Sequence, residues 1–141
     1  MKKVLSTILV LSFVAIFGAA TSFAQYGIRV DADIPFDFTI GKKTFASGKY
    51  RLVLTPAGTS YYSVSLLNGD GRQIFRTTAV RNGSTLRNRS AMFFAVAGEG
   101  RYLEAIKTPD VGYGFATSLN DKTVAESKRV TVDTSGAPNF D

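Results

Sequence analysis

The chain contains neither histidine nor cysteine. Imidazole is the usual general base near neutral pH and the commonest metal ligand. Its lack removes Ser-His and Cys-His catalysis and most zinc or copper sites. Without cysteine no disulfide holds the fold, so stability has to come from packing and strand pairing. A lipid on an N-terminal cysteine is excluded in the same way, and a processed chain is expected to be free rather than tethered. Ser-x-x-Lys, Gly-x-Ser-x-Gly and phosphate-cradling glycine loops are missing too. No catalytic signature remains, and no cofactor or metal is expected. Past residue 24 no apolar run approaches the roughly 20 residues of a membrane helix, so no transmembrane segment is expected after processing.

What the sequence does contain begins with its first 24 residues. Lys2 and Lys3 are followed by an apolar run from Val4 to Ala20, then by Ser22-Phe23-Ala24. A positive start, an apolar stretch and small residues three and one positions before a cut form a bacterial secretory signal peptide, with Gln25 as the new N-terminus. The mature protein is therefore expected in the periplasm or outside the cell, away from ATP and nucleotide cofactors. Removing the leader leaves 117 of the 141 residues, enough for one domain with a real core. The loss of Lys2 and Lys3 takes the formal net charge from +6 to +4. An excess this modest favours solubility and weak attraction to anionic surfaces, and does not imply nucleic-acid binding.

Beyond the cut the hydrophobic period is two almost everywhere. Ile28, Val30, Ala32, Ile34, Phe36, Phe38 and Ile40 alternate with Arg29, Asp31, Asp33, Asp37 and Thr39. This predicts a half-buried strand, with Pro35 marking an edge or a bulge that divides it. Thr44-Phe45 is a short extended piece. Strands are predicted over Lys49–Leu54, Tyr61–Leu67 and Gln73–Val80. The last two are joined at Asn68-Gly69-Asp70-Gly71, the strongest hairpin signal in the chain. Arg81–Arg89 reads as a loop. Ser90–Ala97 is continuously apolar, as in a strand buried on both faces, and Arg101–Thr108 pairs back on it. Gly112-Tyr113-Gly114-Phe115 opens a flexible or extended stretch. Leu119–Ser127 is the one place a short helical turn fits, and Lys128–Val132 is a last strand.

Seven or eight short strands at hairpin spacing predict an all-β fold, a single antiparallel β-sandwich or a small partly open β-barrel. The expected organisation is a signal peptide over 1–24, a β domain over 25–133 and a frayed tail over 134–141.

Residues 34–50 read Ile-Pro-Phe-Asp-Phe-Thr-Ile-Gly-Lys-Lys-Thr-Phe-Ala-Ser-Gly-Lys-Tyr. This resembles the start of a family of small exported proteins abundant in Acidobacteria, with a Pro-Phe-x-Phe-x-Val-Gly segment and then Leu-Pro-Ala-Gly-x-Tyr. Pro35, Phe36, Phe38, Ile40, Gly41, Gly48 and Tyr50 carry the match; Ala46 replaces the family's proline. Phe93-Phe94, Arg101-Tyr102-Leu103 and Ser127-Lys128 are similar to its later elements, although an acidic residue usual after the last is missing. The resemblance implies an exported β-rich domain and transfers no site.

Several residue groups invite a chemical reading. Asp31, Asp33 and Asp37 share a strand face and suggest calcium, but neighbours on one face lie about 7 Å apart, so a solvated face that discourages edge pairing is the simpler account. Glu99 and Glu104 could form a glycosidase pair if they came within about 5–9 Å. Asn82-Gly83-Ser84 and Asn88-Arg89-Ser90 fit the glycosylation triplet by chance in a chain with a bacterial leader. Arg72, Arg76, Arg81, Arg87, Arg89 and Arg101 fall in a stretch whose one acid is Glu99, with Tyr61, Tyr62 and Tyr102 nearby. Arginine forks bind carboxylate, sulfate or phosphate, and tyrosines stack on sugars. The alternative is a solubilising basic surface.

The expected protein is an exported, soluble, non-catalytic β module with a structural or binding role at the cell envelope. Its partner would be an anionic polysaccharide or envelope surface rather than nucleic acid. Two alternatives stand beside it: a subunit that self-assembles through its N-terminal strand, and a small enzyme acting on carbohydrate.

Overall fold

The computed structural model describes residues 27–120, 122–123 and 128–134. The leader, the tail from 135 onward and most of the expected helical turn lie outside these. Within that turn Lys122 and Thr123 are helical, and Asn120 Oδ1 accepts the Thr123 N–H at 2.8 Å.

Ten strands form among the described residues: β1 Ile28–Ile34, β2 Phe38–Ile40, β3 Lys43–Phe45, β4 Gly48–Pro56, β5 Tyr61–Leu67, β6 Gln73–Asn82, β7 Ala91–Ala97, β8 Gly100–Lys107, β9 Gly112–Phe115 and β10 Lys128–Asp133. The fold is all-β, as the alternating pattern predicts. The strand count exceeds seven or eight for local reasons. Pro35 divides the first run into β1 and β2, because a residue without an N–H interrupts the ladder. Lys43–Phe45 pairs with β2 as a strand in its own right. Of the two expectations for the glycine-rich stretch 112–115, flexible or extended, the extended one holds: it is β9, held between β6 and β8. The expected loop over Arg81–Arg89 also begins later than the sequence suggests. Arg81 and Asn82 remain in β6, because β9 brings Tyr113 and Gly112 opposite them.

All strands belong to one sheet. Its main path runs β1-β4-β5-β6-β9-β8, and β7 then joins β8 to β10. Pairing is antiparallel except where β2 meets β8 at Thr39 and Tyr102 and at the isolated parallel bridge between Gly41 and Thr117. β1 and β10 approach each other without pairing, so the sheet is not closed into a barrel. It nevertheless wraps one core. Val30 of β1, Leu52 and Leu54 of β4, Phe94 of β7 and Val132 of β10 all lie in a single buried cluster. The β2–β3 hairpin lies over one end of this core. There Phe38 packs edge-on against Tyr50 (5.1 Å) and Phe94 (5.8 Å), and Phe45 meets Phe75 at 5.3 Å. Such aromatic pairs add about 0.5–1.5 kcal/mol each beyond their burial.

The predicted hairpin signal forms the β5–β6 turn. Asn68 Oδ1 accepts N–H bonds from Asp70 (3.1 Å) and Arg72 (3.0 Å), and Gly71 adopts φ 78°, a backbone that glycine takes without strain. The register shifts between Leu66 and Leu67, opposite Phe75 and Gln73. This bulge puts Gln73, rather than Arg72, on the same face as Arg76.

Candidate binding surface

Antiparallel register fixes which residues share a row across the sheet. One row on the outer face reads Tyr61, Val80, Gly114, Ala105, Phe93 and Thr131, each opposite the next on an adjacent strand. Tyr113 and Phe115 point inward and are buried, so Gly112 and Gly114 face out. The row therefore has small residues at its middle and large apolar ones toward both sides. Val80 and Phe93 stand three strand spacings apart, about 14 Å between backbones. Over β9 and β8 lies an open groove of about 520 Å³, floored by Gly114 and Ala105, edged by Asn82, Ser84, Glu104 and Lys107, and continued past β9 by Thr117 and Leu119.

The polar rim is fixed by local structure. Asn82 Oδ1 accepts the Ser84 N–H at 3.1 Å, a short-range turn that folds the chain after β6 back over β9. A Cβ on Gly112 would collide with the Ser84 carbonyl and the Asn82 amide, so that close approach requires glycine. The adjoining loop is tied down where Leu86 N–H donates to the Thr108 carbonyl at 3.0 Å. Glu104 is the extra residue in the β7–β8 bulge, and both its oxygens accept from Arg129 (2.9 and 3.1 Å). That carboxylate, by hydrogen bonding and by charge, holds the Arg129 guanidinium above its usual range. Lys107 Nζ sits 4.8 Å from the Phe93 ring centroid and makes no ion pair among the described residues. With Glu104 offset by Arg129, the groove keeps one uncompensated positive charge among the described residues.

The arginines and tyrosines singled out in the sequence do not form one patch. At the end of the sheet carrying loops 57–60, 83–90 and 108–111 lie Tyr61, Tyr62, Arg81, Arg87 and Arg89. Arg89 is tied to Asp133 at 2.9 Å. Tyr62 faces inward and packs edge-on against Tyr113 at 4.8 Å. Tyr61 is 57% exposed, and with Val80 it is one of two large hydrophobic residues left exposed among those described. Arg72, Arg101 and Tyr102 lie toward the opposite end; Arg101 stacks 4.9 Å over Phe36, closing the core there. Arg76 is exposed midway along β6. Sequence proximity misled because hairpins send consecutive loops to opposite ends.

The other candidate groups take structural partners. Asp31 receives a bidentate bond from Arg51 (2.6 and 3.1 Å), and the Asp37 carboxylate accepts the Ser47 N–H at 3.0 Å. Asp33 lies opposite Lys49. No cluster of three or more potential metal ligands forms among the described residues. Glu99 lies in the β7–β8 turn and Glu104 five residues along the same arm, about 16 Å away in extended chain. That is beyond the separation glycoside hydrolysis uses.

Sequence inspection passed over the groove residues Asn82, Ser84, Glu104, Lys107 and Gly114 as a set. One available signal was the alternation Gly-Tyr-Gly-Phe at 112–115, which reads as a strand with aromatics inward and no side chains outward. The chain matches no family model, no curated protein and no solved structure.

Proposed function

We propose that this chain is an exported, non-catalytic β module with a binding role at the cell envelope, and that its ligand is an anionic glycan. The leader-like first 24 residues and the resemblance of 34–50 to small exported proteins support the compartment. The observation that carries the binding role is Tyr61, more than half exposed at the end of the sheet where Arg81 and Arg87 are free of ion pairs among the described residues. An exposed aromatic at the same end of the sheet as unpaired guanidinium groups suits a ligand with both apolar sugar faces and anionic substituents.

Assembly by strand exchange would require β1 to leave β4, with which it pairs over all seven of its residues. The single-molecule reading is therefore preferred. The test is retention of the processed protein on an immobilised acidic polysaccharide. Retention should fall steeply between low and high salt and should weaken in the Arg81→Ala/Arg87→Ala double variant. Retention that is absent, or indifferent to salt, would overturn the proposal.

A further inference from the structure

We propose that the outer groove over β9 and β8 is the subsite for one uronic-acid unit of a saccharide chain, with Lys107 as the carboxylate's partner. This rests on the glycan-binding reading above and specifies where on the molecule the sugar sits and what charge it carries.

Three features of the groove fit that ligand. Its floor, Gly114 and Ala105, projects almost nothing, so a flat ring can approach the backbone of β9 and β8 directly. Its volume of about 520 Å³ falls in the range of small-molecule sites, about 300–1,000 Å³. Its lining offers apolar surface at Ala116 and Leu119, matching the apolar face of a pyranose. The lining carries hydrogen-bonding residues from two segments, Asn82 and Ser84 at the end of β6 and Thr117 after β9. The Asn82 Nδ2 lies 3.3 Å from where a Cβ on Gly114 would stand, so an amide donor hangs over the floor itself.

Charge selects the kind of sugar. An acid in the groove would repel a carboxylate, but Glu104 is neutralised by the two bonds from Arg129. Among the described residues Lys107 is left as the one uncompensated charge of the lining, its ammonium over the Phe93 ring. A neutral sugar would leave that ammonium unpaired, whereas a uronate would meet it. The open trough leaves room for a chain to continue past the bound unit.

The probe is an oligogalacturonate of defined length, compared with a neutral oligosaccharide of equal length, followed by amide chemical shifts of the processed protein. Shifts on titration should concentrate at Gly112, Gly114, Ala105 and Lys107. Gly114→Val fills the floor with a residue that suits a strand. Lys107→Gln removes the charge. Each should weaken oligogalacturonate binding about tenfold or more, the size expected for a lost hydrogen bond to a charged group. Lys49→Gln, the same charge change on the outer face of β4, should leave affinity within about twofold. Circular dichroism checks that each variant folds, and Lys107→Gln carries the test alone if Gly114→Val does not. If the unaltered protein binds but both groove variants bind equally well, or the shifts fall elsewhere, the subsite is wrong while glycan binding stands. Equal affinity for the neutral oligosaccharide overturns the role of Lys107. No binding to any acidic glycan removes both proposals.

Discussion

Tyr113 is fully buried in the middle of the core, yet its hydroxyl has no hydrogen-bond partner among the described residues. Tyr62, edge-on at 4.8 Å, is close enough to act on it electrostatically without meeting hydrogen-bond geometry. A buried hydroxyl without a partner costs about 1–3 kcal/mol of desolvation. Tyr113→Phe removes only that oxygen and keeps the ring against Tyr62, so it opens a very small void, whose lost dispersion offsets part of the gain. The net expectation is stabilisation by about 1 kcal/mol, raising Tm by roughly 4 °C. The same group should govern behaviour at high pH. Burial, reinforced by Tyr62, raises the Tyr113 pKa above its ordinary value of 10.0. Between that value and the raised one the folded state holds a proton that the unfolded chain has released. Stability is then full below pH 10 and falls as pH rises further, by up to about 1.4 kcal/mol per unit. Urea unfolding of both proteins at pH 7 and across pH 9–11.5 measures each effect. Destabilisation of Tyr113→Phe by 1 kcal/mol or more, together with an unchanged alkaline slope, would refute the reasoning, because the hydroxyl would then have to be bonded.

Other substitutions test the packing. Gly112→Ala should destabilise by at least about 1–3 kcal/mol, since its methyl would displace the Ser84 carbonyl and the Asn82 turn. Gly114→Ala, two residues on and with its nearest neighbour at 3.3 Å, should stay within about 0.5 kcal/mol. Chemical denaturation of the pair distinguishes them, and equal effects would mean the loop after β6 does not lie over β9. Phe94→Ala removes a fully buried ring shared by Phe36 and Phe38 and should cost about 3–5 kcal/mol. A loss under 1 kcal/mol would show that this end of the core is loosely packed.

Much of the architecture was open to inspection of the sequence. Tyr61–Leu67 was legible to the residue because Val64 and Leu66 alternate with polar neighbours and strong turn residues follow. Pro35 announced its break because a missing N–H acts locally, whatever the fold. β9 was harder to see. Two glycines weaken any strand signal, and what holds 112–115 extended is pairing with β6 and β8, both distant in sequence. The end of β6 was misplaced for the same reason: Arg81 and Asn82 look like loop residues until β9 lies beside them.

The binding surface shows the division most clearly. From the sequence one could list arginines and tyrosines between 61 and 102 but not say which met, since neighbouring loops leave a hairpin sheet at opposite ends. Periodicity alone determined that this chain makes alternating strands around an apolar interior, because a two-residue repeat allows no other way to bury Ile28 through Ile40. Strand order decided the rest: only when β9 lies between β6 and β8 do Asn82, Gly114, Ala105 and Lys107 line one groove, in which Lys107 is the single unpaired charge among the described residues.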